Sequence, residues 1–132
     1  MLQVLSRLYW MTGDTKYLKW AIRIGDYYFI GNRHPTIDAR YLKLDDHGGE
    51  LISGLCELYA TLSYALPKKK ESYKVPIYAM LDKLIERGRD EHGFFYDWIS
   101  VNNNQRSLQM TDCWGYTLNA FYTVYLIDKE EK

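Results

Sequence analysis

Apolar residues recur at helical spacing in five stretches of the chain, and short polar or glycine-containing segments separate them. The first stretch covers residues 2–12 and the second runs to about Ile30, with Thr12-Gly13-Asp14 between them. Glycine tolerates the left-handed geometry that ends a helix, and aspartate is a strong N-cap. The pattern therefore predicts two helices joined as an antiparallel hairpin.

Three further helices are predicted, over about Gly49–Ala65, Ser72–Arg87 and Asp112–Asp128. We interpret Pro67 and the basic run at 68–70 as a solvated turn that ends the third helix. Residues 31–44 are predicted to form a loop.

An aromatic run at residues 94–99 is bounded by turn-forming residues, and three asparagines follow it at 102–104. This pattern predicts a short β-hairpin or an extended loop near residues 94–108. The fold class predicted for the whole chain is therefore all-α, with one domain over residues 1–132.

The composition narrows the functional classes. Lysine plus arginine and aspartate plus glutamate both number 17, which argues against a surface built for nucleic acid or an anionic membrane. The 13 tyrosines suit helix packing, and a subset of them also suits a groove that binds sugar rings. Cys56 and Cys113 are interpreted as buried free thiols.

No signal-peptide pattern opens the chain, and no apolar run approaches the length of a membrane span. We therefore expect a soluble protein, cytoplasmic by default, with no membrane partner.

The segment Asp45-Asp46-His47-Gly48-Gly49-Glu50 concentrates acids, an imidazole and bare backbone at a helix start. Asp46 and Glu50 are four positions apart and share a helix face, so they are candidate paired carboxylates. The structural alternative is that Asp45 or Asp46 caps the helix, where the helix dipole also favours an acid in the first turn. Gly48 and Gly49 favour a functional interpretation, because glycine destabilises a helix by about 1 kcal/mol relative to alanine.

Asp112 precedes Trp114 and Tyr116 at the start of the last helix, where it is either a third candidate catalytic carboxylate or a cap, with Thr111 as an alternative cap. Since helices three and five share a direction in a series of hairpins, their N-termini are expected to meet. Trp98 and Trp114 are candidate stacking platforms or half-buried packing residues. Asp97 is either a turn residue or a rim carboxylate.

His47 and Glu50 have a spacing that can hold a metal, but the sequence offers no second His or Cys cluster. A hydrogen bond from His47 to a sugar hydroxyl or a carboxylate is the preferred interpretation, and no metal or other cofactor is predicted. The sequence contains no nucleophile elbow, P-loop or dinucleotide fingerprint.

Leu8-Tyr9-Trp10-Met11-Thr12-Gly13-Asp14-Thr15-Lys16-Tyr17-Leu18 resembles the hairpin junction "LYxxTGDxxYLxxA" of six-hairpin glycosidase-like, or (α/α)-toroid, proteins. Residues 46–50 are similar to the inner-helix starts of such toroids, and residues 91–98 and 111–116 are similar to their later rim loops. The resemblance covers roughly residues 2–127. It implies alternating inner and outer helices that act on carbohydrate at one rim.

The chain departs from that family in length, because a toroid of six hairpins needs more than twice as many residues. About two and a half antiparallel hairpins are visible here, so we expect part of a toroid, either a fragment of a longer enzyme or a half that a second copy completes.

The predicted function is glycoside hydrolysis by carboxylates drawn from Asp46, Glu50 and Asp112. The substrate contacts are assigned to His47, Gly48, Gly49, Asp97, Trp98, Trp114 and Tyr116. The alternative is a non-catalytic helical scaffold or sugar-binding module.

Overall fold

A computed structural model describes residues 1–130, so the last two residues of the predicted domain lie outside the described part of the chain. Five helices form in the order α1 (Leu2–Thr12), α2 (Thr15–Phe29), α3 (Asp46–Ala65), α4 (Pro67–Arg87) and α5 (Trp114–Asp128). The two strands are β1 (Tyr41–Lys43), which precedes α3, and β2 (Trp98–Ser100), which precedes α5. The chain is thus mostly helical, with one small antiparallel sheet.

The predicted hairpin between α1 and α2 is confirmed. Gly13 adopts a left-handed conformation with φ 68°, and the Asp14 side chain caps α2 by accepting a hydrogen bond from the Lys16 backbone N–H at 2.9 Å. The left-handed glycine that ends α1 and the aspartate that caps α2 are adjacent residues, so the chain reverses direction within one short turn.

The odd-numbered helices run parallel to one another. Between α1 and α3, Gln3 bonds to Ser53 and Trp10 to Thr61, so the contacts advance together along both helices. Between α3 and α5, Asn119 bonds to Ser53 near the start and Asp128 to Tyr59 further on. Since α2 and α4 each reverse the helix before them, the fold has one row of three helices and a second row of two.

Helix α3 lies at the centre of the core. It contacts all four other helices and β1. Its buried side chains belong to one apolar cluster. Many of the other buried side chains in this cluster come from α4. The fully buried residues of these two helices include Ile52, Leu55, Cys56, Leu58, Tyr59, Leu62, Tyr73, Ile77, Met80 and Leu84. Cys56 is therefore the buried free thiol that was predicted.

The small sheet differs from the prediction in one strand. Strand β2 pairs antiparallel with β1, with Leu42 opposite Ile99, although residues 31–44 were predicted to be a loop. Residues 96–110 also fold back on themselves, since the Ser100 N–H bonds to the Gln105 carbonyl and the Ser107 N–H to the Trp98 carbonyl. The predicted hairpin near 94–108 thus contains β2 and has β1 beside it.

The interpretation of Pro67 and the lysine run as a solvated turn is wrong. These residues form the first turn of α4, where proline at the start of a helix loses no hydrogen bond. Lys69 forms an ion pair with Asp26 of α2, and Lys70 forms one with Asp128 of α5 at 2.6 Å. The lysine run therefore connects α4 to α2 and to α5.

Asp128 is the centre of a buried polar cluster. Its side chain is 5% exposed and accepts hydrogen bonds from Tyr59 at 2.7 Å and Tyr78 at 3.0 Å, besides its ion pair with Lys70. Burial by itself would raise the pKa of Asp128, but the hydrogen bonds from Lys70, Tyr59 and Tyr78 outweigh it and lower the pKa. The ionised carboxylate thus holds α3, α4 and α5 together.

We predict that Asp128→Asn lowers the free energy of unfolding at pH 7 by about 3 kcal/mol, because it leaves Lys70 beside a neutral group. Since folding lowers the pKa of Asp128, its contribution is present above the ordinary aspartate pKa and is lost as pH falls through the folded-state value. Urea denaturation of both proteins from pH 7 down to pH 3 tests this, with the exposed Lys70 partner Glu71 changed to Gln as control. Equal acid sensitivity of wild type and Asp128→Asn would contradict it.

Candidate functional site

The candidate site lies where the first turns of α3 and α5 meet. The Leu44 N–H donates to the Asp97 carbonyl at 2.8 Å, and the Thr111 hydroxyl donates to the Leu44 carbonyl at 2.9 Å. These bonds join the segment before α3 to the hairpin, through Asp97, and to the segment that follows the hairpin, through Thr111. The expectation that the N-termini of helices three and five meet is therefore confirmed.

Gly48 is required by close packing and Gly49 is favoured by it, which the sequence pattern does not show. A Cβ on Gly48 would overlap the Lys43 backbone carbonyl, and a Cβ on Gly49 would lie 3.0 Å from the Tyr116 Cβ. Gly48 therefore lets β1 turn directly into α3, and Gly49 lets α5 approach α3. The packing alone accounts for the glycine pair.

Neither Asp46 nor Asp112 caps its helix, so the capping interpretation is wrong for both. Asp45 occupies the N-cap position of α3, and Asp46 is the first helical residue, with its side chain 69% exposed. Cys113 occupies the N-cap position of α5, and Asp112 precedes it. Thr111 accepts a hydrogen bond from the Cys113 N–H at 3.1 Å but is itself outside the helix.

Cys113 bonds to one candidate carboxylate and lies within reach of the charge of the other. Its thiol donates to Asp112 at 3.3 Å. This hydrogen bond raises the pKa of Cys113, and partial burial and the negative charges of Asp112 and Asp46 raise it further. Asp46 and Asp112 thus act on the same thiol from the starts of α3 and α5. Cys113 itself is only half-buried, unlike the buried thiol that was predicted.

A groove of about 520 Å³ opens between α1 and α5 and is called here the central groove. Its lining residues are Gln3, Arg7, Cys113, Gly115, Tyr116 and Asn119. The buried Ser53 hydroxyl of α3 accepts from Gln3 at 2.9 Å and from Asn119 at 3.0 Å, so α3 forms the floor. Amides, a guanidinium and a tyrosine therefore face one concave surface.

An ion pair and two aromatic rings continue the surface along α1 and α3. The Arg7 guanidinium donates to both Glu57 carboxylate oxygens, at 2.8 and 3.3 Å. Further along, the Trp10 indole donates to Thr61 at 3.0 Å and its ring meets Tyr64 edge-on at 5.7 Å. Both rings are more than half exposed.

The other predicted site residues lie apart from the central groove. His47 and Glu50 line a smaller groove of about 170 Å³ between α3 and the α1–α2 hairpin. The rings of Trp98 and Tyr41 pack edge-on at 5.3 Å, and the Trp114 ring lies against Phe94 at 5.1 Å. Asp97 is half-buried, and its backbone connects Leu44 with Gln109.

The structure brings Gly49 into contact with Tyr116 and places Asp46 and Asp112 near Cys113, and it adds residues that were not predicted. These are Gln3, Arg7, Ser53, Glu57 and Asn119. One indication was present, because Ser53 and Glu57 continue the helix face of Asp46 and Glu50 at a spacing of three to four residues. The contributions of α1 and α5 carry no such pattern.

No protein-family model, curated protein or solved structure matches the chain. Among residues 1–130, no three His, Cys, Asp or Glu side chains are grouped so as to hold a metal ion. None of the helices in this part of the chain combines the length and hydropathy needed to span a bilayer.

We predict opposite effects for alanine at two glycines of the site. Gly48→Ala forces the new methyl group against the Lys43 carbonyl and is expected to lower the free energy of unfolding by more than about 2 kcal/mol. Gly115→Ala, which meets open space in α5, is expected to raise it by about 0.5–1 kcal/mol. Chemical denaturation of both variants tests the pair, and a neutral Gly48→Ala would show that β1 and α3 are not in close contact.

Proposed function

We propose that the central groove binds carbohydrate and that Asp46 and Asp112, at its open end, act on a glycosidic bond. The observation that carries the proposal is that the starts of α3 and α5 meet, and that Cys113, which bonds to Asp112 and lies within reach of the charge of Asp46, lines a concave surface of amides and tyrosine. The two rows of helices support the further proposal that the chain forms part of an (α/α) toroid.

The groove chemistry suits a sugar. The carboxamides of Gln3 and Asn119 each donate one N–H to Ser53 and keep a second N–H and an acceptor oxygen for neighbouring sugar hydroxyls. Tyr116 adds a flat apolar face with a polar rim, as a pyranose ring does. Ser53 accepts from both carboxamides, so their orientation is fixed before a ligand arrives.

In the hydrolytic mechanism, one carboxyl donates a proton to the leaving oxygen while the other activates water or attacks the sugar carbon. Asp46 and Asp112 are the proposed pair. Glu50 follows Asp46 by one helical turn and is proposed as the third carboxylate. It lies beside His47 on the smaller groove between α3 and the α1–α2 hairpin, where both are proposed to contact a longer glycan.

A sugar-binding module without catalysis is the second candidate, and one observation favours it. Asp46, Glu50 and Asp112 are all exposed to solvent, whereas a general acid in a glycosidase is kept in a dry environment. In this case the same groove binds glycan and no bond is broken.

A second copy of the chain is the proposed partner. The end helices of the first row expose large apolar side chains, among them Val4 and Met11 on α1 and Leu118 and Tyr122 on α5. Such side chains at both ends of a row favour contact with another molecule. Two copies joined end to end would place six parallel helices around a ring.

We predict that Asp46→Asn and Asp112→Asn each lower kcat on a cleaved glycan by about 10²–10⁴, because each removes a proton-transfer group while binding is retained. A panel of oligosaccharides is assayed for both turnover and affinity. Glu71→Gln, near the start of α4, is the matched carboxylate control. Affinity without turnover would establish the binding module. No affinity for any member of the panel would contradict both candidates.

We further predict that the chain is a dimer in light scattering at micromolar concentration, and that Leu118→Glu makes it monomeric by placing a charge in an apolar contact. Lys68→Glu, an exposed change on α4 rather than on either end helix, serves as the control. A monomeric wild-type mass would contradict the proposed partner.

A further inference from the structure

A second polar pocket, of about 310 Å³, lies between the end of α4 and the turn of the hairpin at residues 96–110. It is called here the hairpin pocket. Its polar lining includes Arg87, Ser100, Asn103, Asn104, Gln105 and Arg106. None of these residues lines the central groove, so this pocket is a separate candidate site.

The turn that carries the pocket is held in one conformation. The Ser100 N–H donates to the Gln105 carbonyl at 2.8 Å, and the Asn103 side chain accepts from the Gln105 N–H at 2.9 Å. Arg87 donates to the Asn103 carbonyl at 3.3 Å, which ties the turn to α4. The three amide side chains at 103–105 are therefore presented on an ordered scaffold.

Arg106 is positioned to bind an anion. Its guanidinium lies over the Tyr96 ring, 4.7 Å from the centroid. A guanidinium that lies over a ring is attracted by the ring face and spends no N–H donor on a carboxylate, so its N–H groups can still match a carboxylate or phosphate. Within residues 1–130, the ion pairs found do not include Arg106.

The negative charge of Glu86, the acidic residue of the pocket lining, is balanced by basic neighbours. Glu86 pairs with Lys83 at 2.8 Å and with Arg87 at 3.5 Å. The hydrogen bond and charge of Lys83 lower the pKa of Glu86, and Arg87 lowers it further, so Glu86 stays ionised at neutral pH. The pocket and its rim thus hold two arginines and one lysine but only one carboxylate, so the local charge is positive.

We propose that the hairpin pocket binds the acidic group of a small polyhydroxylated ligand, a sugar carboxylate or a sugar phosphate. Arg106 and Arg87 hold the anionic group, and the amides of Asn104 and Gln105 bind the hydroxyls. The volume accommodates one such unit. This inference does not depend on the central groove being a glycan site.

An NMR titration of the full chain tests the proposal, with glucuronate, glucose 6-phosphate and neutral glucose as probes. The two acidic sugars are expected to shift the backbone amides of residues 100–106 saturably, and glucose is not. Arg106→Gln and Arg87→Gln are each expected to weaken the binding at least tenfold. Arg33→Gln is the matched control, because Arg33 also lies over a tyrosine ring, that of Tyr27, but outside the pocket.

Two results would overturn the proposal. One is the absence of saturable shifts at residues 100–106 with either acidic sugar, or shifts of the same size with glucose. The other is wild-type affinity in both Arg106→Gln and Arg87→Gln, each of which is first shown to be folded by unchanged amide shifts in the helices.

Discussion

The close approach of backbone to backbone at the start of α3 is the constraint on which the rest of the structure depends. Gly48 admits the Lys43 carbonyl, and Gly49 admits Tyr116 of α5. In the same region, the Leu44 N–H bonds to the Asp97 carbonyl and the Thr111 hydroxyl bonds to the Leu44 carbonyl. The sheet, the hairpin and the two helix starts are therefore one unit, and the open end of the central groove is built on it.

The opposite end of the helices is held by charge rather than by close backbone contact. Consecutive lysines in the first turn of α4 point to different neighbours, Lys69 to Asp26 and Lys70 to Asp128. Both aspartates also accept hydrogen bonds from buried tyrosines. Removing one partner from the buried Lys70–Asp128 cluster leaves a buried charge, which is far more costly than losing a surface ion pair. The tyrosine-rich composition thus serves packing and polar satisfaction at this end.

The sequence predicted what is local. Helical periodicity, the Gly13-Asp14 turn and the shared direction of α3 and α5 follow from neighbouring residues and from hairpin alternation. It did not predict β1, because a three-residue strand has no readable period and its partner β2 lies far along the chain. The lysine run was misinterpreted because partners on α2 and α5 are invisible from α4 alone. Gln3, Ser53 and Asn119 were missed for the same reason, since three helices contribute one each.

The position of the candidate carboxylates also bears on which function the site favours. The starts of α3 and α5 both direct the positive end of a helix dipole toward the same rim, and this field attracts negative charge. Hydrolysis of a glycosidic bond requires one of two carboxyls to carry a proton. In the proposed hydrolysis, a bound sugar has to exclude water from Asp46 or Asp112. A binding module needs no such exclusion, since ionised carboxylates accept hydrogen bonds from sugar hydroxyls directly. The extent to which a ligand covers these two side chains therefore decides between catalysis and binding.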